Sequence, residues 1–167
     1  MTQRGASYAV KKKRTHTPEM RESVWDYPRP PRVEATSKRI KVVAGGKTIA
    51  ETTRALRVLE TSHPPVYYMP REDVRTELLV PGTGRSVCEF KGFARYYTIL
   101  VDGRRIENGA WTYPDPWEGY HMLKGHLAFY PRLMDECTVD GEPVTPEPGD
   151  FYGGWITSDI AGPFRTR

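Results

Sequence analysis

CEFKGFARYYTILVDGRRIENGAWTYPDP, residues 88–116, carries two runs rich in apolar, β-branched and aromatic residues on either side of Asp102-Gly103. Mirror-type two-residue turns need positive φ at their central positions, and Asp and Gly tolerate it, so the stretch predicts an antiparallel hairpin with strands over 94–101 and 104–113. A two-residue turn would set Ile99 opposite Ile106 and Tyr97 opposite Asn108 on one face. The other face would pair Leu100 with Arg105, Thr98 with Glu107 and Ala94 with Trp111.

Working outward, the same signal recurs. RIKVVAGGKTIAET (39–52) centres on Gly45-Gly46 and predicts a second hairpin with Ile40, Val42 and Ile49 on one face and Lys41 with Ala50 on the other. CTVDGEPV contains a third turn at Asp140-Gly141. Ala55, Leu56, Val58 and Leu59 have helical spacing, but Pro64-Pro65 and the surrounding rhythm lean the segment 53–60 towards strand. A short aromatic strand, VYYMP, ends at Pro70, and TELLVPG closes at Pro81-Gly82. The chain holds 15 Gly and 15 Pro, and three turns of one kind at separate places do not suit an α protein. The expected fold is mainly β: a single antiparallel domain over residues 23–167, a partly closed barrel or curled sheet with at most one or two short helices. SVWDYPRPPR (23–32) reads as an extended strap docked through Trp25 and Tyr27, with Trp155 and Phe164 as anchors near the other terminus.

A length of 167 residues suits one domain with a tail. No apolar run approaches the roughly 20 residues of a membrane span, and Met1–Val10 lacks the hydrophobic block of a secretion signal, so a cytoplasmic location without membrane contact is expected. The formal charge is +4. Arg4, Lys11, Lys12, Lys13, Arg14 and Arg21 against Glu19 account for it, leaving the rest of the chain close to neutral. Residues 1–22 are thus expected to be a flexible basic tail, and nucleic-acid contact is expected from nowhere else.

The candidate chemistry gathers in 88–116. Lys91 and Arg95 offer cations, while Tyr97, Trp111 and Tyr113 offer flat rings, a set suited to a small anionic ligand, nucleotide-like in class. The plain reading, in which the rings fill a core and Lys91 is solvated, stands beside it. Cys88 is a candidate nucleophile because a cation three residues on, Lys91, favours thiolate, but along a straight strand the two point to opposite faces unless a bulge near Gly92 turns them together. Core packing is the competing role for this thiol. Cys88 and Cys137 are too far apart in sequence to suggest a zinc site or a disulfide framework. Glu118-x-x-His121 with Asp115 has metal-like spacing in a Pro-rich loop, but no metal site is assigned and the sequence names no cofactor; His63 and His126 have no visible partners.

Five motifs now align in order: SVWDYP with RPP (23–31), YYMPREDV (67–74), CEFKG with Ala94 and Tyr96-Tyr97 (88–97), AWTYPDP (110–116) and GHLAFY (125–130). This set resembles the family known as domain of unknown function 427, some of whose members bear a nucleotidyltransferase-like label. The resemblance covers Glu22 to Asp150 and implies a small β-rich domain. It departs at Glu89, where many relatives are expected to carry proline. Metal-assisted nucleotidyl transfer needs clustered carboxylates. Here Asp140-Gly141-Glu142 reads as a turn, and Glu72-Asp73 and Asp135-Glu136 are adjacent pairs. Two function classes therefore stand: binding or processing of a small anionic ligand in an aromatic-lined pocket, or a non-catalytic interaction module that presents the strap or a sheet edge to a protein.

Overall fold

Asp102 and Gly103 have φ of 50° and 74°, Gly45 and Gly46 of 58° and 74°, and Asp140 and Gly141 of 48° and 84°. All three sites are two-residue hairpin turns, closed by the pairs Val101–Arg104, Ala44–Lys47 and Val139–Glu142. The structure is a computed structural model that describes residues 21–149 and 152–165. The basic cluster Lys11–Arg14, with the rest of the expected tail through residue 20, lies outside the described residues.

In chain order the strands are β1 (Glu22–Ser23), β2 (Arg32–Ala35), β3 (Ile40–Ala44), β4 (Lys47–Thr52), β5 (Leu56–Leu59), β6 (Val66–Pro70), β7 (Leu79–Cys88) and β8 (Gly92–Val101). They continue with β9 (Arg104–Thr112), β10 (His126–Phe129), β11 (Glu136–Val139), β12 (Glu142–Pro143), β13 (Thr145–Pro146), β14 (Trp155–Ile156) and β15 (Ile160–Ala161). The segment 53–60, ambiguous in sequence, supplies strand β5. Helical residues form only three-residue 3-10 turns among the described residues, and no helix there is long and apolar enough to cross a membrane.

A seven-stranded antiparallel sheet runs β2-β5-β6-β10-β9-β8-β7, and a four-stranded one runs β12-β11-β3-β4. The strands at the two edges of the large sheet, β2 and β7, do not pair with each other, so the sheet curls without closing into a barrel. Alternation gives it two buried faces. Tyr67, Met69, Ile99, Ala110, Leu127 and Phe129 meet Ile40, Val42 and Ile49 of the small sheet in the main core. Their neighbours Tyr68, Ala94, Trp111 and Ala128 point the other way, into a second cluster with Tyr113, Tyr120 and Leu123.

Two bulges change the registers expected from the turns alone. In β4, Val43 pairs with Thr48 but Val42 with Ala50, so Ile49 is the extra residue and Ala50 joins the buried face with Val42 instead of opposing it. In β9, Ile99 and Leu100 have the expected partners, yet Tyr97 faces Ala110 and Tyr96 faces Trp111, a displacement of two residues absorbed around Asn108, whose φ is 51°. Asn108 secures this bulge across β8: its Oδ1 accepts the Thr83 N–H at 3.0 Å, and its Nδ2 donates to the Thr83 carbonyl at 3.0 Å. Gly82 is required alongside, because a Cβ there would lie 2.1 Å from Asn108 Oδ1.

The strap docks as its aromatics suggest. Tyr27 is buried with Val24 against Leu59 and Ile160, while Trp25 stays half exposed and donates its indole N–H to the Pro163 carbonyl at 2.6 Å. Strand β1 lies parallel to β15, tying Glu22 and Ser23 to the C-terminal segment. There Trp155 is fully buried against Tyr67, and Phe164 packs on the strap cluster.

Candidate functional site

The second face of the large sheet is concave: Val58 of β5 and Cys88 of β7, near opposite edges, border one cleft of about 250 Å³ with Trp111 of β9 between them. Its wall is a network of rings. Trp111 donates its indole N–H to Tyr68 Oη at 3.1 Å and packs its ring 4.4 Å from that of Tyr130. The Tyr68 and Tyr113 rings lie 6.3 Å apart. Tyr96 Oη and Ser86 Oγ share a hydrogen bond of 2.8 Å. Burial pushes the Tyr68, Tyr113 and Tyr130 hydroxyls well above the ordinary tyrosine value, and for Tyr113 the neighbouring Tyr68 and Cys88 side chains add to the effect. These phenols therefore meet a ligand as neutral donors.

At one side of the cleft Cys88 pairs with Gly92 across a three-residue turn, Glu89-Phe90-Lys91, with Gly92 at φ 119°. The turn, rather than a bulge in a continuous strand, folds Lys91 back over Cys88. Lys91 Nζ donates to Cys88 Sγ at 3.1 Å and sits 5.7 Å from the centre of the Tyr113 ring. Lys91 is 8% exposed and makes no salt bridge to a carboxylate among the described residues. Cys88 is half-buried; Cys137 lies in the main core, where burial pushes its thiol up.

His63 borders the same cleft. Its Nδ1 is 2.8 Å from Glu147 Oε2, and the second oxygen of that carboxylate accepts the Gly154 N–H at 3.1 Å. Both side chains are buried, and the Tyr152 ring lies 4.5 Å from the imidazole. Gly153 permits the close approach of this segment, since a Cβ there would come within 2.5 Å of the Trp111 ring.

Of the residues singled out in sequence, Cys88, Lys91, Trp111 and Tyr113 come together at the cleft. Arg95 and Tyr97 do not, because β8 alternation turns them to the opposite face. Arg95 is exposed opposite Thr112, and Tyr97 packs towards the main core with the Arg71 guanidinium 5.7 Å from its ring centre. Tyr96 takes the place read for Tyr97. Alternation from Ala94 could have found Tyr96, but Tyr68, Tyr130 and the His63–Glu147 pair, 84 residues apart, leave no local signal. Asp115, Glu118 and His121 are exposed, and no three His, Cys, Asp or Glu side chains converge among the described residues.

Compared with known families, residues 32–140 match the one described as Domain of unknown function (DUF427). No curated protein matches the chain. The matched span holds Cys88, Lys91, His63 and the ring wall; Glu147 and Tyr152 reach the cleft from beyond it.

Proposed function

From the premise that the chain belongs to the domain of unknown function 427 family, and from the geometry of the cleft, we propose that it binds a small molecule combining a planar ring with an anionic group. Lys91 carries this reading. Burying an ammonium costs several kcal/mol unless a counter-charge or good acceptors compensate, and a thiol is a weak acceptor. With only Cys88 Sγ as hydrogen-bond partner among the described residues, two of its three N–H donors are left for a carboxylate or phosphate. Trp111, Tyr68 and Tyr113 supply faces and edges for the ring.

A cleft of about 250 Å³ lies just below the roughly 300–1,000 Å³ range of drug-sized sites, which favours an aromatic acid or a partly enclosed mononucleotide over a dinucleotide. The test is a thermal-shift screen of the full chain against aromatic carboxylates, nucleoside monophosphates, sugar phosphates and inorganic phosphate. A hit is expected to lose at least tenfold in affinity with Lys91→Met, while the melting temperature of the free protein changes little. A screen in which no anion raises the melting temperature, or a hit that Lys91→Met binds equally well, contradicts the reading.

A second reading, a surface for a protein partner, rests on Val87 and Phe93, which are 57% and 50% exposed near the end of the β7–β8 hairpin, and on Trp117, 40% exposed in the loop after β9 that packs on it. Val87 pairs with Phe93, whose ring meets Trp117 edge-on at 5.9 Å. A stable polypeptide that co-purifies with the wild type and is lost in Phe93→Ser would favour it.

A further inference from the structure

We propose that Cys88 is the nucleophile of a covalent acyl-transfer step in the cleft, with an ester or thioester bearing a planar group as substrate class. The step rests on the cleft being a ligand site and adds a reaction to it. Three observations converge. Cys88 lines the cleft with the Lys91 ammonium 3.1 Å from its Sγ, and an ammonium there stabilises the charge a sulfur nucleophile carries. No described carboxylate competes for that ammonium. The cleft also holds one imidazole, His63, whose Nδ1–H is held by Glu147, which leaves Nε2 as the nitrogen able to take and return a proton. A purely structural thiol would need neither the buried cation nor the oriented imidazole, and Cys137, packed in the main core, has neither as a hydrogen-bond partner.

The chemistry closes without an added oxidant or reductant. The Cys88 thiol gives its proton to His63 Nε2 and the resulting thiolate attacks the carbonyl carbon; the S–C bond forms and the carbonyl π electrons move to oxygen. That oxyanion sits on the carbon bonded to Sγ, so it develops beside Lys91 Nζ. Its collapse breaks the bond to the leaving group, which departs with a proton from protonated His63, and the acyl group remains on sulfur as a thioester. Water then gives a proton to His63 and attacks the thioester; the C–S bond breaks, thiolate is restored and a carboxylic acid leaves.

The experiment uses the full chain and p-nitrophenyl acetate at neutral pH, with peptide mass spectrometry to locate the acetyl group. A burst of p-nitrophenol stoichiometric with protein is expected, the acetyl group on Cys88 and not Cys137, at a rate at least tenfold above that of glutathione under the same conditions. Lys91→Met should slow the burst at least tenfold, and His63→Gln should lengthen the lifetime of acetyl-Cys88. Circular dichroism of each variant confirms folding, and the comparisons of Cys88 with Cys137 and glutathione need no variant at all. Acetylation of Cys88 no faster than of glutathione, an unchanged burst in Lys91→Met, or equally fast deacylation in His63→Gln overturns the proposal. Cys88→Ser separates this from the binding reading: a ligand-induced thermal shift that survives in Cys88→Ser, in a protein that gave no burst as wild type, sinks the nucleophile and leaves the ligand site standing.

Discussion

Raising the pH above about 10 is expected to unfold the protein over a narrow interval, with tyrosine ionisation and loss of β structure occurring together. Tyr27, Tyr67, Tyr68 and Tyr113 are each no more than 6% exposed. Burial is the first cause that holds all four above the ordinary value of 10.0, Tyr67 at about 12 and the other three higher; the hydrogen bond to Glu22 adds to it for Tyr27. Below pH 10 these phenols are neutral in folded and unfolded chains alike, and their contribution is fully present. Above it the unfolded chain releases protons that the folded protein retains, so stability falls as pH rises towards the folded values. Each group contributes a slope of about 1.4 kcal/mol per pH unit, and four together about 5 kcal/mol per unit. Against a net stability on the order of 5–15 kcal/mol, one to three pH units suffice. Ultraviolet absorbance of tyrosinate, followed beside far-ultraviolet circular dichroism, checks this. All ten tyrosines titrating near pH 10 with the dichroism intact would contradict the burial of Tyr27 under the strap and of Tyr67, Tyr68 and Tyr113 on the two faces of the large sheet.

Those two faces mark what was legible in sequence. Asp102-Gly103, Gly45-Gly46 and Asp140-Gly141 announce hairpins because positive φ is a local demand that few residues meet. Registers near the turns follow, as at Ile99–Ile106. Farther out they depend on contacts that no local pattern encodes. Asn108 holds its bulge by bonding to Thr83, 25 residues away, and the resulting two-residue displacement is what brings Tyr96 opposite Trp111. The Cys88–Lys91 contact was hidden for a different reason: reading 88–92 as strand separates the two side chains, whereas a turn ending at Gly92 joins them. His63 found its partner in Glu147 only through the path of the C-terminal segment.

Glu147→Ala is expected to cost about 3 kcal/mol or more, because several groups lose their partner at once. The carboxylate is 3% exposed; one oxygen meets His63 Nδ1 and the other the Gly154 N–H. The Glu147 N–H in turn donates to the Gly154 carbonyl at 3.0 Å, next to the Pro146–Trp155 pair that joins β13 to β14. Alanine keeps that backbone bond but strands a buried imidazole and a buried amide and leaves a void beside Pro64 and Gly154. Glu147→Gln keeps the volume and one acceptor oxygen, which can serve His63 or Gly154 but not both, so its cost should fall between those of wild type and alanine. Urea unfolding monitored by fluorescence gives all three values. An alanine variant within about 0.5 kcal/mol of wild type would assign the pair no structural weight. The contrast with Lys91 is the sharper consequence: Glu147 has both oxygens engaged by protein donors and should register in stability, whereas Lys91, whose ammonium has only a thiol as hydrogen-bond partner among the described residues, should register in what the cleft binds.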